Sequence, residues 1–248
     1  MREEKVRITM TNGTADGFLY APDGEGPWPG VLYYPHGLGI DEGFHIMSKR
    51  LAAEGYTVLM PNIYYRTTPG PFFPEPIDFT SPATRQRFME LSGPLTGDAM
   101  EQDAIDYLDF LDDQDITQTG PMGTVGYCLT GKMAMRTAAA APDVIGAAAS
   151  FHGGGLYTDA PDSPHLLLPR IEDTHLYFGH AHQDNSMPAD AIAKFEAALK
   201  AWGGHYESET YPALHGWTVP EPGSPVYDKA QAERHYKKLT ALFAETLG

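Results

Sequence analysis

The sequence predicts an open α/β sheet covered by helices on both faces, formed by a single domain over residues 1–248. Short apolar segments alternate along the chain with segments of helical periodicity, which is the pattern of α/β proteins. The segment Val31-Leu32-Tyr33-Tyr34 is continuously apolar, as expected of a strand buried on both faces of a parallel sheet. No internal repeat and no linker-like change of composition divides the chain, which favours one domain.

Each predicted element follows from local composition and periodicity. The strand candidates are short apolar segments, in chain order 6–11, 17–21, 30–34, 56–60, 122–127, 147–151, 174–178 and 205–211. Helical periodicity predicts helices over 43–53, 97–112, 129–141, 189–202 and 228–247. Because no helix separates the first two strands, the sheet is expected to begin with a two-stranded unit.

Residues 66–96 interrupt this alternation and are predicted to form a proline-rich loop inserted into the domain. The segment holds six prolines, and Pro61 stands just before it. A long loop in a compact domain usually has a function or is disordered. Since ligands bind at the carboxyl edge of the sheet in such folds, this loop is expected to lie over that edge.

Acidic residues dominate the charge of the chain. Lysine and arginine total 17 against 33 acidic residues, a formal net charge of −16 at pH 7, and the longest basic cluster is Lys237-Lys238. Such a surface is expected to repel nucleic acid and anionic lipid. No segment has the roughly 20 apolar residues of a membrane span, and the charged first residues are not expected to form a secretory signal. One cysteine cannot form an internal disulfide, so we expect a cytoplasmic protein, and the oligomeric state stays open.

Cys128 is the candidate nucleophile. It stands between the strand candidate 122–127 and the helix candidate 129–141, and Gly126 precedes it by two residues. A side chain on such a sharp turn is exposed above the sheet, and glycine relieves the crowding. The N–H groups of the first helical turn favour the thiolate, which is the reactive form. The alternative is a buried cysteine that acts only as a small apolar residue.

Asp184 and His215 are the candidate acid and base. Both follow strand candidates, 174–178 and 205–211, and so fall at the same edge of the sheet as Cys128. The chain order of nucleophile, acid and histidine is that of hydrolases with a nucleophile at a strand-to-helix turn. Alternatively, Asp184 caps the next helix and His215 is one of the surface histidines.

Backbone N–H groups of Gly37 and Leu129 are the candidate oxyanion donors. Pro35-His36-Gly37-Leu38-Gly39 follows the strand candidate 30–34, where this arrangement places the second donor. The alternative is a flexible glycine turn. No Gly-x-Ser-x-Gly motif occurs in the chain, so a nucleophile at this turn has to be sulfur.

Several of these motifs together resemble the dienelactone hydrolases, carboxymethylenebutenolidase-like enzymes of the α/β-hydrolase fold. The resemblance rests on Gly126-Tyr127-Cys128-Leu129, on the stretch from Gly55-Tyr56 through Pro61 to Tyr64, on Asp184 and on His215-Gly216. It implies that a Cys128, His215 and Asp184 triad opens a lactone or ester through a thioester. His215 would take the thiol proton and later activate water, and no cofactor or metal is expected.

The sequence departs from the family pattern at three places. Thr130 stands where the family usually has glycine, and His36 stands where it has a glutamate near the cysteine. The family holds a substrate carboxylate with two arginines: Arg85 matches one, whereas Val219 occupies the other position. His36 and Arg85 are therefore predicted to contact the substrate, as is His152, which follows the strand candidate 147–151.

Two alternatives to thiol catalysis remain open. His180-x-His182-x-Asp184 has the appearance of a metal-ligand cluster, completed by His205, His215 or His235, and would make the protein a metal-dependent hydrolase. A non-catalytic ligand-binding member of the fold is the second alternative, with Thr130 and His36 marking the loss of the chemistry.

Overall fold

A mixed sheet of eight strands forms the centre of the computed structural model, which describes residues 1–73, 77–220 and 224–248. The strands are β1 (Arg2–Met10), β2 (Gly13–Ala21), β3 (Gly30–Tyr33), β4 (Thr57–Pro61), β5 (Met122–Tyr127), β6 (Ile145–Phe151), β7 (His175–Gln183) and β8 (Tyr206–Leu214). Their order across the sheet is β1-β2-β4-β3-β5-β6-β7-β8. β2 pairs antiparallel with β1 and β4, and every later neighbour pair is parallel.

Helices fill the connections between the parallel strands. They are α1 (Glu42–Ala53), α2 (Pro82–Ser92), α3 (Gly97–Asp112), α4 (Gly131–Ala140), α5 (Ala189–Trp202) and α6 (Lys229–Thr246), with 3₁₀ turns at Cys128–Thr130 and Pro164–Arg170. Side-chain oxygens accept N–H bonds at the N-caps of three helices: Asp41 at α1, Thr96 at α3 and Asp228 at α6. Among the described residues, no helix is both long and apolar enough to cross a membrane.

The core has one apolar cluster on each face of the sheet. α1 and α6 pack on one face, for instance through Phe44 and Phe243, and α3, α4 and α5 cover the other. Strand β3 shows why both faces need cover, because Val31 and Leu32 point into opposite clusters and both are fully buried. The predicted fold class, a mostly parallel sheet with helices on both faces, is confirmed.

Strands β7 and β8 extend further toward their carboxyl ends than predicted, and this extension positions two candidate site residues. Their pairing continues through a bulge between Ala181 and Gln183, which brings Gln183 opposite Leu214. Asp184 and His215 are the next residues on the two strands. They therefore lie side by side at the sheet edge, near a bulge that can aim the side chains.

The predicted loop 66–96 contains a helix, α2, so that part of the prediction is wrong. Pro82 occupies the first turn of α2, where proline is tolerated because its missing N–H has no helical partner anyway. Before α2 the segment is bound to α3, because Arg66 Nη1 and Nη2 donate to the buried Asp103 carboxylate at 2.6 and 2.7 Å. Tyr65 Oη donates to the same carboxylate at 2.9 Å. Residues 74–76 lie outside the described part of the chain.

Candidate active site

Cys128 lies at the sharp turn between β5 and α4, at the carboxyl edge of the sheet. Its backbone has a φ of +57°, a region that non-glycine residues seldom occupy and that is enriched at functional sites. Gly126 makes the turn sterically feasible, because a Cβ at that position would come within 2.1 Å of the Thr130 carbonyl oxygen. The predicted position of the sulfur on a strand-to-helix turn is thus what the structure contains.

Thr130 is integrated into this turn rather than disturbing it. The side chain is fully buried, and its hydroxyl accepts the Tyr127 N–H at 2.8 Å and donates to the Tyr127 carbonyl at 2.9 Å. The position that requires glycine is instead Gly131, because a Cβ there would lie 2.3 Å from Ser150 Oγ. The hydroxyl of Thr130 therefore helps to hold the turn at a position where the resembling family usually has glycine.

Cys128, His215 and Asp184 lie together at the carboxyl edge of the sheet. His215 Nδ1 lies 2.6 Å from Asp184 Oδ2, and the His215 imidazole is close enough to the Cys128 thiol to lower its pKa. Asp184 Oδ1 accepts the N–H and the hydroxyl of Ser186 at 2.8 and 2.6 Å. Asp184 does not cap the following helix, because the N-cap of α5 is Pro188. These three hydrogen bonds of the Asp184 carboxylate hold the imidazole through Nδ1 and leave Nε2 as the nitrogen available to the sulfur.

The surroundings of the sulfur stabilise the thiolate. Burial by itself would raise the pKa of Cys128, but the His215 hydrogen bond and charge, with the N–H groups of Leu129 and Gly37, lower it below the usual thiol value. Burial opposes the charge on His215 as well, yet its bonds to Asp184 and Cys128 raise the pKa of the imidazole to about 10. Both shifts favour a thiolate paired with an imidazolium over a neutral thiol and imidazole.

The two predicted oxyanion donors converge on the sulfur. The backbone N–H groups of Gly37 and Leu129 are close enough to the Cys128 sulfur to lower the pKa of the thiol. Tyr64 Oη, buried below the site, donates to the Gly37 carbonyl at 2.7 Å and so fixes this loop. A Cβ on Gly37 would be 3.1 Å from Leu129 Cβ, so the two donors are close neighbours. Sequence reasoning missed Tyr64 as a support because its partner is a backbone atom distant in the chain.

A cavity of about 380 Å³ opens above the sulfur. Its described walls are His36, Gly37, Leu38, Phe79, Phe88, Cys128, His152, His215, Gly216, Val219, Ser224 and Val226. None of these is a lysine, an arginine or an acidic residue. Phe79 and Phe88 come from the 66–96 segment, so this segment does lie over the carboxyl edge. Sequence reasoning did not select Phe88, since an aromatic residue on a helix is ordinarily a core residue.

Arg85 does not line this cavity. Its side chain is exposed on α2 and donates to the carbonyl oxygens of Phe79 and Thr80 at 2.9 and 2.7 Å. The predicted contact of Arg85 with substrate therefore has no support in the position of the guanidinium. Arg85 was predicted because it matches one of the two carboxylate-binding arginines of the resembling family, but its guanidinium bonds to backbone carbonyls of its own segment instead.

His36 and His152 are both in the cavity wall. His36 Nε2 lies 2.7 Å from Asp41 Oδ2, the carboxylate that caps α1. His152 is fully buried with a φ of +40°, and its Nε2 lies 2.8 Å from Thr218 Oγ1. Its ring centre is 5.0 Å from that of His215, and burial together with the His215 charge holds the pKa of His152 far below the usual histidine value. His152 is thus an uncharged wall beside the triad histidine.

The candidate metal cluster is not assembled. His180 is buried beside Phe195 and its Nε2 lies 3.2 Å from Ser208 Oγ, whereas His182 is exposed. Within residues 1–73, 77–220 and 224–248, no three histidine, cysteine or acidic side chains are arranged to hold a metal ion. Residues two apart on a regular strand share a face, but the register of β7 with β8 is irregular between Ala181 and Gln183, at His182 itself.

Comparison with known proteins decides the family. The model of the dienelactone hydrolase family matches residues 15–247 of the chain. The chain belongs to the dienelactone hydrolase family. The family resemblance predicted from the sequence motifs is confirmed, and the protein is accordingly a hydrolase of lactones or carboxylic esters.

Relatives and solved structures of this family match over nearly the full chain. A protein of Synechocystis sp. with the provisional name carboxymethylenebutenolidase is 27% identical over 98% of this chain and 96% of its own length. One of Escherichia coli K12 with the same provisional name is 26% identical over 89% of this chain and 78% of its own. The structure of a provisionally named dienelactone hydrolase from Klebsiella pneumoniae superimposes with a TM-score of 0.86 at 20% identity, covering 98% of both chains.

A further structural neighbour shows that the fold hosts other chemistry. The dienelactone hydrolase-like promiscuous phosphotriesterase P91 from metagenomic libraries has a TM-score of 0.81 and 21% identity, covering 100% of this chain and 99% of its own. At such identities the similarity establishes the fold, whereas the reaction has to be argued from the site.

Proposed function

We propose that this dienelactone hydrolase family member cleaves uncharged carboxylic esters or lactones through a thioester on Cys128. The observation that carries the proposal is the placement of Cys128 beside His215 in one cavity wall, with His215 Nδ1 2.6 Å from Asp184 Oδ2. His215 and the backbone N–H groups of Leu129 and Gly37 lower the pKa of this thiol. A structural cysteine would need neither the imidazole nor the converging donors.

The geometry supports acylation by the thiolate in the following way. The Cys128 sulfur attacks the carbonyl carbon, a C–S bond forms, and the carbonyl electrons move onto oxygen, which the N–H groups of Gly37 and Leu129 stabilise. Collapse of this intermediate breaks the ester C–O bond, and His215 gives its proton to the departing alkoxide. In a lactone, the alcohol and the acyl group remain parts of one molecule.

Deacylation uses the same groups in reverse. His215, now neutral, removes a proton from water, and the resulting hydroxide attacks the thioester carbonyl. The C–S bond then breaks, the carboxylic acid leaves, and the thiolate and imidazolium pair is restored. Asp184 remains ionised throughout, since bonds from His215 and Ser186 outweigh burial and lower the pKa of its carboxyl group.

The lining of the cavity favours an uncharged substrate. Val219 forms part of its wall four residues after His215, and Arg85 is directed elsewhere. A carboxylate placed in this cavity would lose water without gaining a cationic partner among the described lining residues, which is unfavourable. Neutral esters and lactones incur no such cost.

Substitution of Cys128 tests the proposal. With 4-nitrophenyl acetate and a panel of simple lactones, Cys128→Ala and His215→Ala should each reduce kcat/KM by about a thousandfold or more. His182→Ala is the matched control, because this exposed histidine lies two residues from Asp184 and should leave the rate unchanged. Rapid acid quenching of the wild-type reaction should give an intact mass increased by one acetyl group, located on Cys128.

Two outcomes would contradict the proposal. An acyl group on another residue, or full activity of Cys128→Ala, would exclude this sulfur as the nucleophile. A folded wild-type protein that cleaves none of the activated esters or lactones would instead support the non-catalytic ligand-binding alternative.

Three expectations about the whole chain stay predictions at this point. They are a single domain over residues 1–248, a cytoplasmic location, and the lack of nucleic-acid or membrane partners. Composition and charge support them: the chain has one cysteine and a net charge of −16.

A further inference from the structure

A second cavity, of about 240 Å³, lies between the start of α4 and the loop that follows β6. Its described walls include Lys132, Arg136, Gly154, Thr158 and Asp162. None of these residues lines the cavity above the sulfur. The proposed hydrolysis makes no use of this second cavity.

Two cations of the same helix face line the second cavity. Lys132 and Arg136 are one turn apart on α4, a spacing at which like charges repel each other. Lys132 is partly buried and forms no ion pair with any residue in the described part of the chain. Burial, with the charge of Arg136, lowers the pKa of Lys132. An anion between the two side chains would relieve this repulsion.

Arg136 is almost completely buried and has an unused donor. Its Nη1 donates to Glu101 Oε1 at 3.0 Å, and its Nη2 donates to the Asp162 carbonyl. Its Nε is buried and has no hydrogen-bond partner among the described residues. Buried donors are nearly always satisfied in folded proteins, so an unpaired Nε in a cavity wall points to a missing acceptor.

Positive charge around the second cavity exceeds the negative charge in contact with it. Arg136 and Arg170 share a single carboxylate, since Glu101 Oε2 accepts from Arg170 at 2.8 Å. The Asp162 carboxylate is mostly exposed and lies 3.9 Å from Arg136. With Lys132, three cations in and beside the cavity thus meet two carboxylates, and only that of Glu101 is closely bonded. This local excess stands out in a chain whose net charge is −16.

We infer that the second cavity binds a small oxyanion, either a phosphate or a carboxylate group, through Lys132 and Arg136 Nε. An oxyanion supplies the acceptors that both nitrogens lack, and such charge-assisted bonds are the strong ones. The Thr158 hydroxyl accepts the Ala160 N–H at 3.3 Å and keeps its own hydrogen for an anion. A cavity of this size holds a phosphate with bound water, since one water occupies about 30 Å³ in the liquid.

The second cavity is also adjacent to the catalytic turn. Lys132 is four residues from Cys128, and the Gly154 N–H donates to the Cys128 carbonyl at 3.1 Å. Gly154, a wall residue of the second cavity, thus bonds directly to the backbone of Cys128.

Calorimetric titration of the full chain with inorganic phosphate, and separately with acetate at matched ionic strength, tests the inference. Wild type should bind at least one of the two anions saturably at one site. Lys132→Met should weaken that binding about tenfold or more, the usual cost of a charge-assisted bond. Lys200→Met removes an exposed lysine of α5 and should leave binding unchanged. Binding by phosphate alone, by acetate alone or by both identifies which oxyanions the site accepts.

A second pair of measurements distinguishes anion binding in the second cavity from anion binding at Cys128. Cys128→Ala should bind the anion as wild type does. In wild type, the anion should reduce acetylation of Lys132 by acetic anhydride about tenfold, read by peptide mass spectrometry, and leave Lys200 unprotected. This readout decides the question if Lys132→Met fails to fold. Loss of binding in Cys128→Ala, unprotected Lys132, wild-type affinity in a folded Lys132→Met, or no saturable binding of either anion would overturn the inference.

Discussion

Two opposing effects determine the charge of the Cys128 sulfur. Burial disfavours its charged form, whereas the His215 imidazolium and two backbone N–H groups favour it, and the second set is stronger. The balance depends on His215 keeping its proton, which the Asp184 carboxylate secures at 2.6 Å. One side chain that never contacts the sulfur thus controls its charge.

This balance predicts the pH dependence of thiol alkylation. Because the pKa of Cys128 is lowered, iodoacetamide should react with wild type at pH values below those at which free cysteine, pKa about 8.5, ionises. In His215→Ala the burial remains and the favourable charge is lost, so the profile should shift above that value. At neutral pH the rate should fall about tenfold or more. Stopped-flow alkylation from acid to alkaline pH measures both profiles.

His182→Ala serves as the control for that profile and should reproduce wild type. An inflection of wild type at or above the free-cysteine value, coincident with that of His215→Ala, would contradict the proposed ion pair.

Sequence reasoning located the proposed catalytic residues but not all their surroundings. Cys128, His215 and Asp184 were predictable because each follows a recognisable strand, and strand ends meet at one edge of a parallel sheet. The direction of the Arg85 side chain was not predictable, because it depends on a helical turn within a proline-rich segment. The role of Thr130 was equally hidden, since its two hydrogen bonds to Tyr127 exist only once the turn has formed.

At the scale of elements, the segment that carries α2 is fastened to α3 by the Arg66 and Asp103 pair. Asp103 is 1% exposed, so its charge is compensated almost wholly by Arg66 and by the Tyr65 hydroxyl. The two residues are 37 positions apart. The repeat pattern of α3 predicted the helix bounds 97–112 correctly, but it carried no information on this pairing.

Removal of Arg66 should destabilise the protein strongly. Arg66→Met leaves the buried Asp103 carboxylate without its cation, which should cost about 3–5 kcal/mol in the free energy of unfolding. The double variant Arg66→Met/Asp103→Leu should recover most of this loss, because neither charge then remains buried. Urea unfolding followed by circular dichroism gives both values.

Arg2→Met is the matched control, since Arg2 and Glu4 form an exposed pair that should be worth less than about 1 kcal/mol. Equal stability losses for Arg66→Met and Arg2→Met would show that the Asp103 pair does not anchor the segment.

At the scale of the whole molecule, the net charge of −16 acts on every substrate that approaches. A negatively charged molecule is repelled at long range, and it then meets a cavity whose described walls hold no lysine or arginine. Both effects select for neutral substrates, but only the long-range one is screened by salt.

Salt should therefore change kcat/KM differently for two aryl esters that differ only in a carboxylate on the acyl chain. Between about 0.01 M and 0.5 M sodium chloride, kcat/KM for the anionic ester should rise by about twofold to tenfold. For the neutral ester it should stay constant and exceed the anionic value throughout. Initial rates at substrate concentrations below KM measure both. A preference for the anionic ester at low salt would contradict an uncharged substrate.

The position of β8 has a consequence for how this molecule recovers its activity. The strand lies at the border of the sheet, bonded to β7 alone, yet His215 directly follows it. A shift in pairing by a single residue would turn every side chain of β8 toward the opposite face. Regained turnover after refolding is thus a stricter criterion of correct assembly than regained secondary structure, because a chain with its last strand misaligned would look native by circular dichroism and still be inert.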